Sequence, residues 1–282
     1  MPYATAKDGA KIFYKDGGSG QPIVFSHGWP LSADAWDAQF LHFGRRGYRV
    51  IAHDRRSHGR SDKTWDNNNM DWYADDLAAV IEAAGVEDAI LIGHSTGGGE
   101  IAHYVGRHST ERVAKMVFVG AVPPLMLKTA ANPEGTPKEV FDGIRQGVAN
   151  TAAQFYWDLS LPFYGFNRDG AHVSEGLRGS FWTQSMQCGI KGAYDCVHEF
   201  SEVDYTEDLK RIDKPTLFIH GDDDQIVPIA AAAEKASKIV KGAELKVYPG
   251  APHGLAQTMP ERFNTDVAGF LEASLRVSAA GA

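Results

Sequence analysis

Ala89-Ile90-Leu91-Ile92-Gly93-His94-Ser95-Thr96-Gly97-Gly98-Gly99 is the stretch on which the reading of this 282-residue chain turns. Four apolar residues bounded by glycine read as a short buried strand. Helical patterning resumes from Gly99 to His108. A serine on so sharp a strand-to-helix turn sits in strained backbone, so its neighbours two residues away must be nearly free of side chain. Gly93 and Gly97 meet that need, and Gly98 and Gly99 let the helix approach the sheet. A G-x-S-x-G in this context presents the serine hydroxyl as a nucleophile. The helix N-terminus also offers free N–H groups and positive potential to a developing anion.

The same alternation extends in both directions. Pro22–Ser26, Tyr48–Ala52, Val113–Val119, Pro215–His220 and Leu245–Tyr248 are further strand candidates. Ala33–Arg46, Met70–Ala84, Ile229–Val240 and Pro260–Leu275 are helix candidates. Near-continuous apolarity in the strands predicts a sheet covered on both faces, hence an α/β fold with a mostly parallel sheet. Ala10–Tyr14 with the turn Asp16-Gly17-Gly18 predicts an antiparallel hairpin at the start. From Val122 to Arg211 the pattern breaks into aromatic-rich helical sequence opened by Pro123-Pro124. This divides the chain into a core, residues 1–121 and 212–282, and a helical lid at 122–211 shaping an apolar pocket.

A serine hydroxyl is a weak nucleophile at neutral pH and needs a base and an orienting acid, in chain order Ser, Asp or Glu, His. The strand ending at His220 runs into Gly221-Asp222-Asp223-Asp224, and the strand ending at Tyr248 runs into Pro249-Gly250-Ala251-Pro252-His253. Both lie past strand C-termini, where open α/β sheets place their sites. His253 is the only one of 11 histidines downstream of the aspartates. It is the candidate base for Ser95, and spacing leaves all three aspartates open as its partner. An oxyanion hole needs the N–H after the nucleophile, here Thr96, and one from the loop after an early strand. His27-Gly28-Trp29-Pro30 supplies Trp29, whose backbone Pro30 restricts. His27 and His94 read as hydrogen-bonded neighbours of these loops, and Asp54-Arg55-Arg56-Ser57-His58-Gly59-Arg60-Ser61 as an ion-pair turn beside the site.

Composition narrows the class. With 43% apolar and 23% charged residues the chain is not disordered, and 28 basic against 36 acidic residues give −8, which disfavours nucleic acid and anionic membranes. Two cysteines, Cys188 and Cys196, make no disulfide framework and read as reduced thiols. No metal-ligand set recurs at ligand spacing, and neither a P-loop nor a dinucleotide fingerprint occurs. The sequence carries no basic-then-apolar leader and no 18-residue apolar run, and a cytoplasmic protein without a membrane span is expected. The tail Ser278–Ala282 is expected to fray.

These residues resemble the α/β-hydrolases called cofactor-free (non-heme) haloperoxidases, perhydrolases and aryl esterases. The resemblance is carried by His27-Gly28-Trp29-Pro30-Leu31-Ser32, Ala52-His53-Asp54-Arg55-Arg56, Gly93 to Glu100, Pro162-Phe163-Tyr164-Gly165, His220 to Pro228 and Pro252-His253-Gly254. It implies that the acid is the aspartate directly before Gln225-Ile226-Val227-Pro228, namely Asp224. It also implies no cofactor, hydrolysis of aryl and small acyl esters, and peracid formation when hydrogen peroxide replaces water, the peracid then oxidising bromide or chloride. Pro30 matches a proline associated with good perhydrolysis. Relatives that open a bicyclic lactam and relatives that form homo-oligomers extend the resemblance to a γ-lactamase alternative and a possible oligomer. The family likeness further implies a pocket of Trp29, Pro30, Val122, Met126, Ile144, Leu159, Phe163 and Ile226. One residue departs: Ser57 stands where the family has glycine, and it carries strain if that position needs positive φ.

Overall fold

In the computed structural model, which describes residues 2–279, the apolar runs become neighbours in one eight-stranded sheet. The strands are β1 Tyr3–Thr5, β2 Lys11–Gly18, β3 Pro22–Ser26, β4 Arg49–His53, β5 Ala89–His94, β6 Val113–Val119, β7 Thr216–Gly221 and β8 Glu244–Tyr248. Their order is β1-β2-β4-β3-β5-β6-β7-β8. β2 runs antiparallel to both β1 and β4, and every pairing from β4 to β8 is parallel. The helices are α1 Asp37–Arg45, α2 Met70–Ala83, α3 Thr96–His108, α4 Lys138–Phe163, α5 Glu175–Met186, α6 Ile190–Ser201, α7 Thr206–Lys210, α8 Ala233–Ile239, α9 Leu255–Thr258 and α10 Pro260–Ala279. Of the tail expected to fray, residues 280–282 lie outside the described residues. No helix among the described residues is long and apolar enough to cross a membrane.

Strand alternation sorts the core into two layers. Val24, Ile51, Leu91, Met116, Phe118 and Phe218 pack with residues of α2, α3 and α8. Their neighbours Phe25, Val50, Ile90, Ile92, Val117 and Ile219 pack on the other face with Trp36, Phe43, Phe263 and Leu271. With both faces covered, β5 is buried along its whole length, which is why it reads as an unbroken apolar run. A third cluster, including Trp29, Val122, Met126, Phe141, Phe163, Phe181 and Phe200, joins α4, α5 and α6 to the loops at the strand C-termini.

The hairpin expectation is corrected in its turn. Asp16-Gly17-Gly18 is not a turn; it continues β2 and pairs with Ile51, Val50 and Arg49. Arg49 holds Asp16 there through two hydrogen bonds, of 2.9 and 2.6 Å. The turn between β1 and β2 lies at Lys7-Asp8-Gly9, closed by Ala6 N–H donating to the Ala10 carbonyl at 2.9 Å, with Gly9 at φ +91°. An Asp-Gly pair is the stronger hairpin signal. Two helices also shift. Residues 33–36 form a 3₁₀ turn before α1, and α8 begins only at Ala233, because residues 229–232 are spent in turns. Helix α3 begins at Thr96, three residues earlier than propensity indicates. Glycine is a poor helix former, but a Cβ at Gly97 would collide with the Ser26 carbonyl and one at Gly98 with Ala121.

The chain leaves β3 for β4 on one side and returns to β5 on the other, so the topological switch point falls between β3 and β5. Ligand crevices of open α/β sheets form there, outside the strand C-termini. The loops that begin at His27 and at Ser95 flank this crevice.

Candidate active site

Ser95 occupies the strand-to-helix turn with φ +54° and ψ −119°, a conformation that costs a non-glycine residue about 1–3 kcal/mol. Its N–H donates to the Val119 carbonyl at 2.9 Å, and its carbonyl accepts from Val122 at 3.2 Å, so both backbone groups are tied to the end of β6. The oxyanion-loop candidate lies directly against the elbow: a Cβ at Gly28 would sit 2.8 Å from His94 Nδ1 and 3.1 Å from Ser95 Cβ. Thr96 is the first residue of α3, where N–H groups have no intrahelical acceptor. Among the described residues, neither the Trp29 nor the Thr96 N–H finds a protein acceptor.

Past β7, the three aspartates take three different partners. Asp222 accepts from Gly250 N–H at 2.6 Å. Asp223 pairs with Arg168, through its Nε at 2.7 Å. Asp224 Oδ1 accepts from Ile226 and Val227 N–H at 2.9 and 2.8 Å, and its Oδ2 from His253 Nδ1 at 2.7 Å. Both side chains of the Asp224–His253 pair are fully buried. His220 Nε2 stands 3.2 Å from the same Oδ2. Burial opposes ionisation of Asp224, but His253 and His220 outweigh it and hold the carboxyl well below the usual carboxylate range. His253 Nε2 is buried and has no protein partner among the described residues, so no hydrogen bond joins it to Ser95 here. Such bonds are commonly long without substrate. The rings of His94 and Phe163 lie 4.7 and 4.8 Å from the His253 ring, and His94 Nε2 lies 3.1 Å from the His253 carbonyl.

A cavity of about 190 Å³ opens on Ser95, lined also by Trp29, Thr96, Val122, Met126, Ile144, Leu159, Phe163 and Ile226. Of the expected pocket residues, Pro30 alone does not line it. Pro30 is buried in the turn that Leu31 N–H closes on the Gly28 carbonyl at 2.9 Å. Thr136, Val140, Phe141, Phe200, Gln225 and Val227 also line the cavity and escaped the sequence reading. Gln225 and Val227 sit in the loop that carries Asp224, which is the signal that could have found them. The volume lies below the ~300–1,000 Å³ of drug-sized sites and suits a small acyl group.

The departure at Ser57 does fall on positive φ, at +63°. Its hydroxyl is engaged, lying 2.8 Å from Asn68 Oδ1 and accepting from Thr64 N–H at 3.1 Å.

Three buried histidines make the site acid-sensitive. Burial first, then neighbouring positive charge, pushes His58 and His94 down to about 3 from the ordinary 6.5, and holds His27 well below it. Between those limits the unfolded chain binds protons that the native protein refuses. Stability is therefore complete above pH ~6.5 and falls as pH drops towards 3, by up to about 1.4 kcal/mol per pH unit for each histidine. Asp224 adds loss at still lower pH, as pH falls through its depressed value. Thermal unfolding followed from pH 8 to 4 is expected to give a Tm that is flat at first and falls steadily below pH 6.

A match to the α/β hydrolase fold family spans residues 21–277. A non-heme haloperoxidase of Rhodococcus erythropolis is 56% identical over 96% of this chain and 100% of the relative. A bifunctional esterase/perhydrolase of Acinetobacter calcoaceticus is 52% identical over 96% of this chain and 99% of its own. The crystal structure of a bromoperoxidase from Bacillus anthracis superposes with a TM-score of 0.91 at 34% identity, covering 96% of this chain and all of the other. The chain thus belongs to the α/β-hydrolase family, in the branch that holds the non-heme haloperoxidases and an esterase/perhydrolase.

Proposed function

We propose that this hydrolase cleaves small acyl and aryl esters through an acyl-enzyme on Ser95, and that hydrogen peroxide can replace water in the second step. The observation that carries the reading is the buried 2.7 Å hydrogen bond between His253 Nδ1 and Asp224, adjoining a serine elbow that opens on a small apolar cavity. Asp224 holds the imidazole with its proton on Nδ1, which leaves Nε2 free to take the Ser95 proton. Ser95 Oγ bonds to the acyl carbon, and the carbonyl oxygen becomes an oxyanion between the Trp29 and Thr96 N–H groups. His253 returns the proton to the departing alkoxide or phenoxide. Water or hydrogen peroxide, deprotonated by His253, then attacks the acyl-enzyme and releases an acid or a peracid, restoring Ser95. Residues 122–211 act as the lid of this pocket and residues 1–121 and 212–282 as the core. The free thiols Cys188 and Cys196 suit a reducing cytoplasm. The esterase, perhydrolase and haloperoxidase names of the relatives favour esters over lactams.

The test is p-nitrophenyl acetate turnover with and without hydrogen peroxide. Saturable release with an initial burst is expected, and bromination of an indicator dye that needs peroxide and an acyl donor together. Absence of turnover across a panel of short aryl esters would overturn the reading, as would bromination with peroxide and no acyl donor.

A further inference from the structure

Beneath the site lies a fully buried polar cluster that the proposed chemistry does not use: His27, His53, Arg55 and Glu100. Glu100 Oε2 accepts from Arg55 Nε at 2.9 Å and Nη2 at 2.6 Å, and its Oε1 lies 2.7 Å from His53 Nε2. The same Arg55 Nη2 donates to the His27 carbonyl at 2.6 Å, and the Arg55 backbone N–H donates to His27 Nε2 at 2.9 Å. With Nε2 accepting, the imidazole proton resides on Nδ1, which donates to the Gly28 carbonyl at 2.8 Å. That carbonyl and the Trp29 N–H belong to one planar trans peptide, so fixing the oxygen aims the N–H the opposite way. Glu100, for its part, sits on α3 one turn after Thr96.

We infer that Arg55 and Glu100 are a positioning pair for the oxyanion hole: Arg55 sets the Gly28–Trp29 peptide through His27, and Glu100 fixes Arg55 to the helix carrying Thr96. The inference rests on the assignment of the Trp29 and Thr96 N–H groups as oxyanion donors. The two donors stand on different elements, the loop after β3 and α3, and Arg55, just past β4, bridges them by bonding the His27 carbonyl and Glu100 with one guanidinium. A buried ion pair is a weak stabiliser, because an apolar pair of similar volume holds a fold as well or better. An apolar pair cannot donate to the His27 carbonyl as the guanidinium does; only the backbone N–H of residue 55 would still reach the imidazole. Burial, with Arg55 alongside, keeps His27 neutral, and the bonds at its two ring nitrogens fix the tautomer.

The test compares the parent with Arg55→Met/Glu100→Met, which removes the pair without leaving an unpaired charge, and with Arg55→Lys, which keeps the charge but not the fork. Readouts are Tm, kcat and KM for p-nitrophenyl acetate, and inhibition by an aryl trifluoromethyl ketone, whose adduct with Ser95 carries an oxyanion. Losing one oxyanion donor costs about 10²–10³ in kcat, and a displaced one should cost about tenfold or more. The folded double variant is expected to lose that much in kcat with KM changed less than about threefold, and ketone affinity by a similar factor. The acid limb of the pH–rate profile, which reports the base, should not move. If the double variant does not fold, Arg55→Lys is read in its place. A folded variant with kcat and ketone affinity within about twofold of the parent would overturn the proposal. So would a displaced acid limb, or failure of both variants to fold, which would assign the pair to stability. A Ser95→Ala control separates the two readings. Persistent turnover there sinks the underlying mechanism, whereas an inactive control beside fully active Arg55 variants sinks the positioning role alone.

Discussion

Ser95→Ala is expected to lower kcat for p-nitrophenyl acetate by about 10⁶-fold, leaving only the rate that substrate binding and the oxyanion donors supply. Without the hydroxyl no acyl-enzyme can form, so the burst should vanish together with the steady-state rate and with peracid formation. The protein itself should be undamaged. The backbone bonds of residue 95 to Val119 and Val122 do not involve the side chain. Ser95→Gly goes further, since glycine adopts φ +54° without the penalty that serine bears there. Relief of about 1–3 kcal/mol corresponds to a Tm rise of several degrees in a domain of this size. Loss of all turnover with an unchanged or higher Tm would show that the strain at this elbow serves chemistry rather than folding. Turnover retained within tenfold of the parent would remove Ser95 from the mechanism.

The serine elbow was legible because its constraint is local. A strained turn demands glycines at fixed offsets, and Gly93 and Gly97 record that demand in the chain. The parallel core was legible because strands covered on both faces must be apolar throughout, as β5 is. The choice among Asp222, Asp223 and Asp224 was not open to spacing, since all three cap the same strand. Loop conformation gives each a different partner, and family resemblance rather than residue pattern singled out Asp224. The hairpin turn was misplaced because two adjacent glycines outweighed the Asp8-Gly9 pair, although Gly17 and Gly18 stay in strand pairing with Val50 and Arg49. The cavity wall was the least legible part. Phe141, Phe200 and Gln225 reach it from segments separated by tens of residues, and only tertiary packing brings them together. The Arg55–Glu100 pair shows the same limit. Its sequence reads as an ion-pair turn, and nothing in the order of residues says that its partner sits on α3.

Asp224→Asn is expected to lower kcat by about 10⁴-fold while leaving the fold intact, for a reason visible in the hydrogen bonds around the carboxylate. Every group facing Asp224 can donate: the Ile226 and Val227 N–H groups to Oδ1, His253 Nδ1 to Oδ2, with His220 Nε2 3.2 Å away. An asparagine has one oxygen to offer. Placed towards the two backbone N–H groups, it turns its NH₂ towards His253, which must then accept through Nδ1 and carry its proton on Nε2. That tautomer cannot take the Ser95 proton. Turned the other way, the amide leaves two N–H groups facing an NH₂, at about 1–3 kcal/mol for the buried one of Val227 and less for the half-buried one of Ile226. The first arrangement should therefore prevail, and the loss should fall on kcat with little change in KM. Stability carries a second signature. The depressed titration of Asp224 contributes stability that is present above the ordinary carboxylate value of 3.8 and is lost as pH falls through the native one. Asparagine has no such contribution. The stability gap between parent and variant should be widest at neutral pH and close as pH drops below about 4. A gap independent of pH, or a kcat within tenfold of the parent, would mean that this carboxylate does not hold the imidazole.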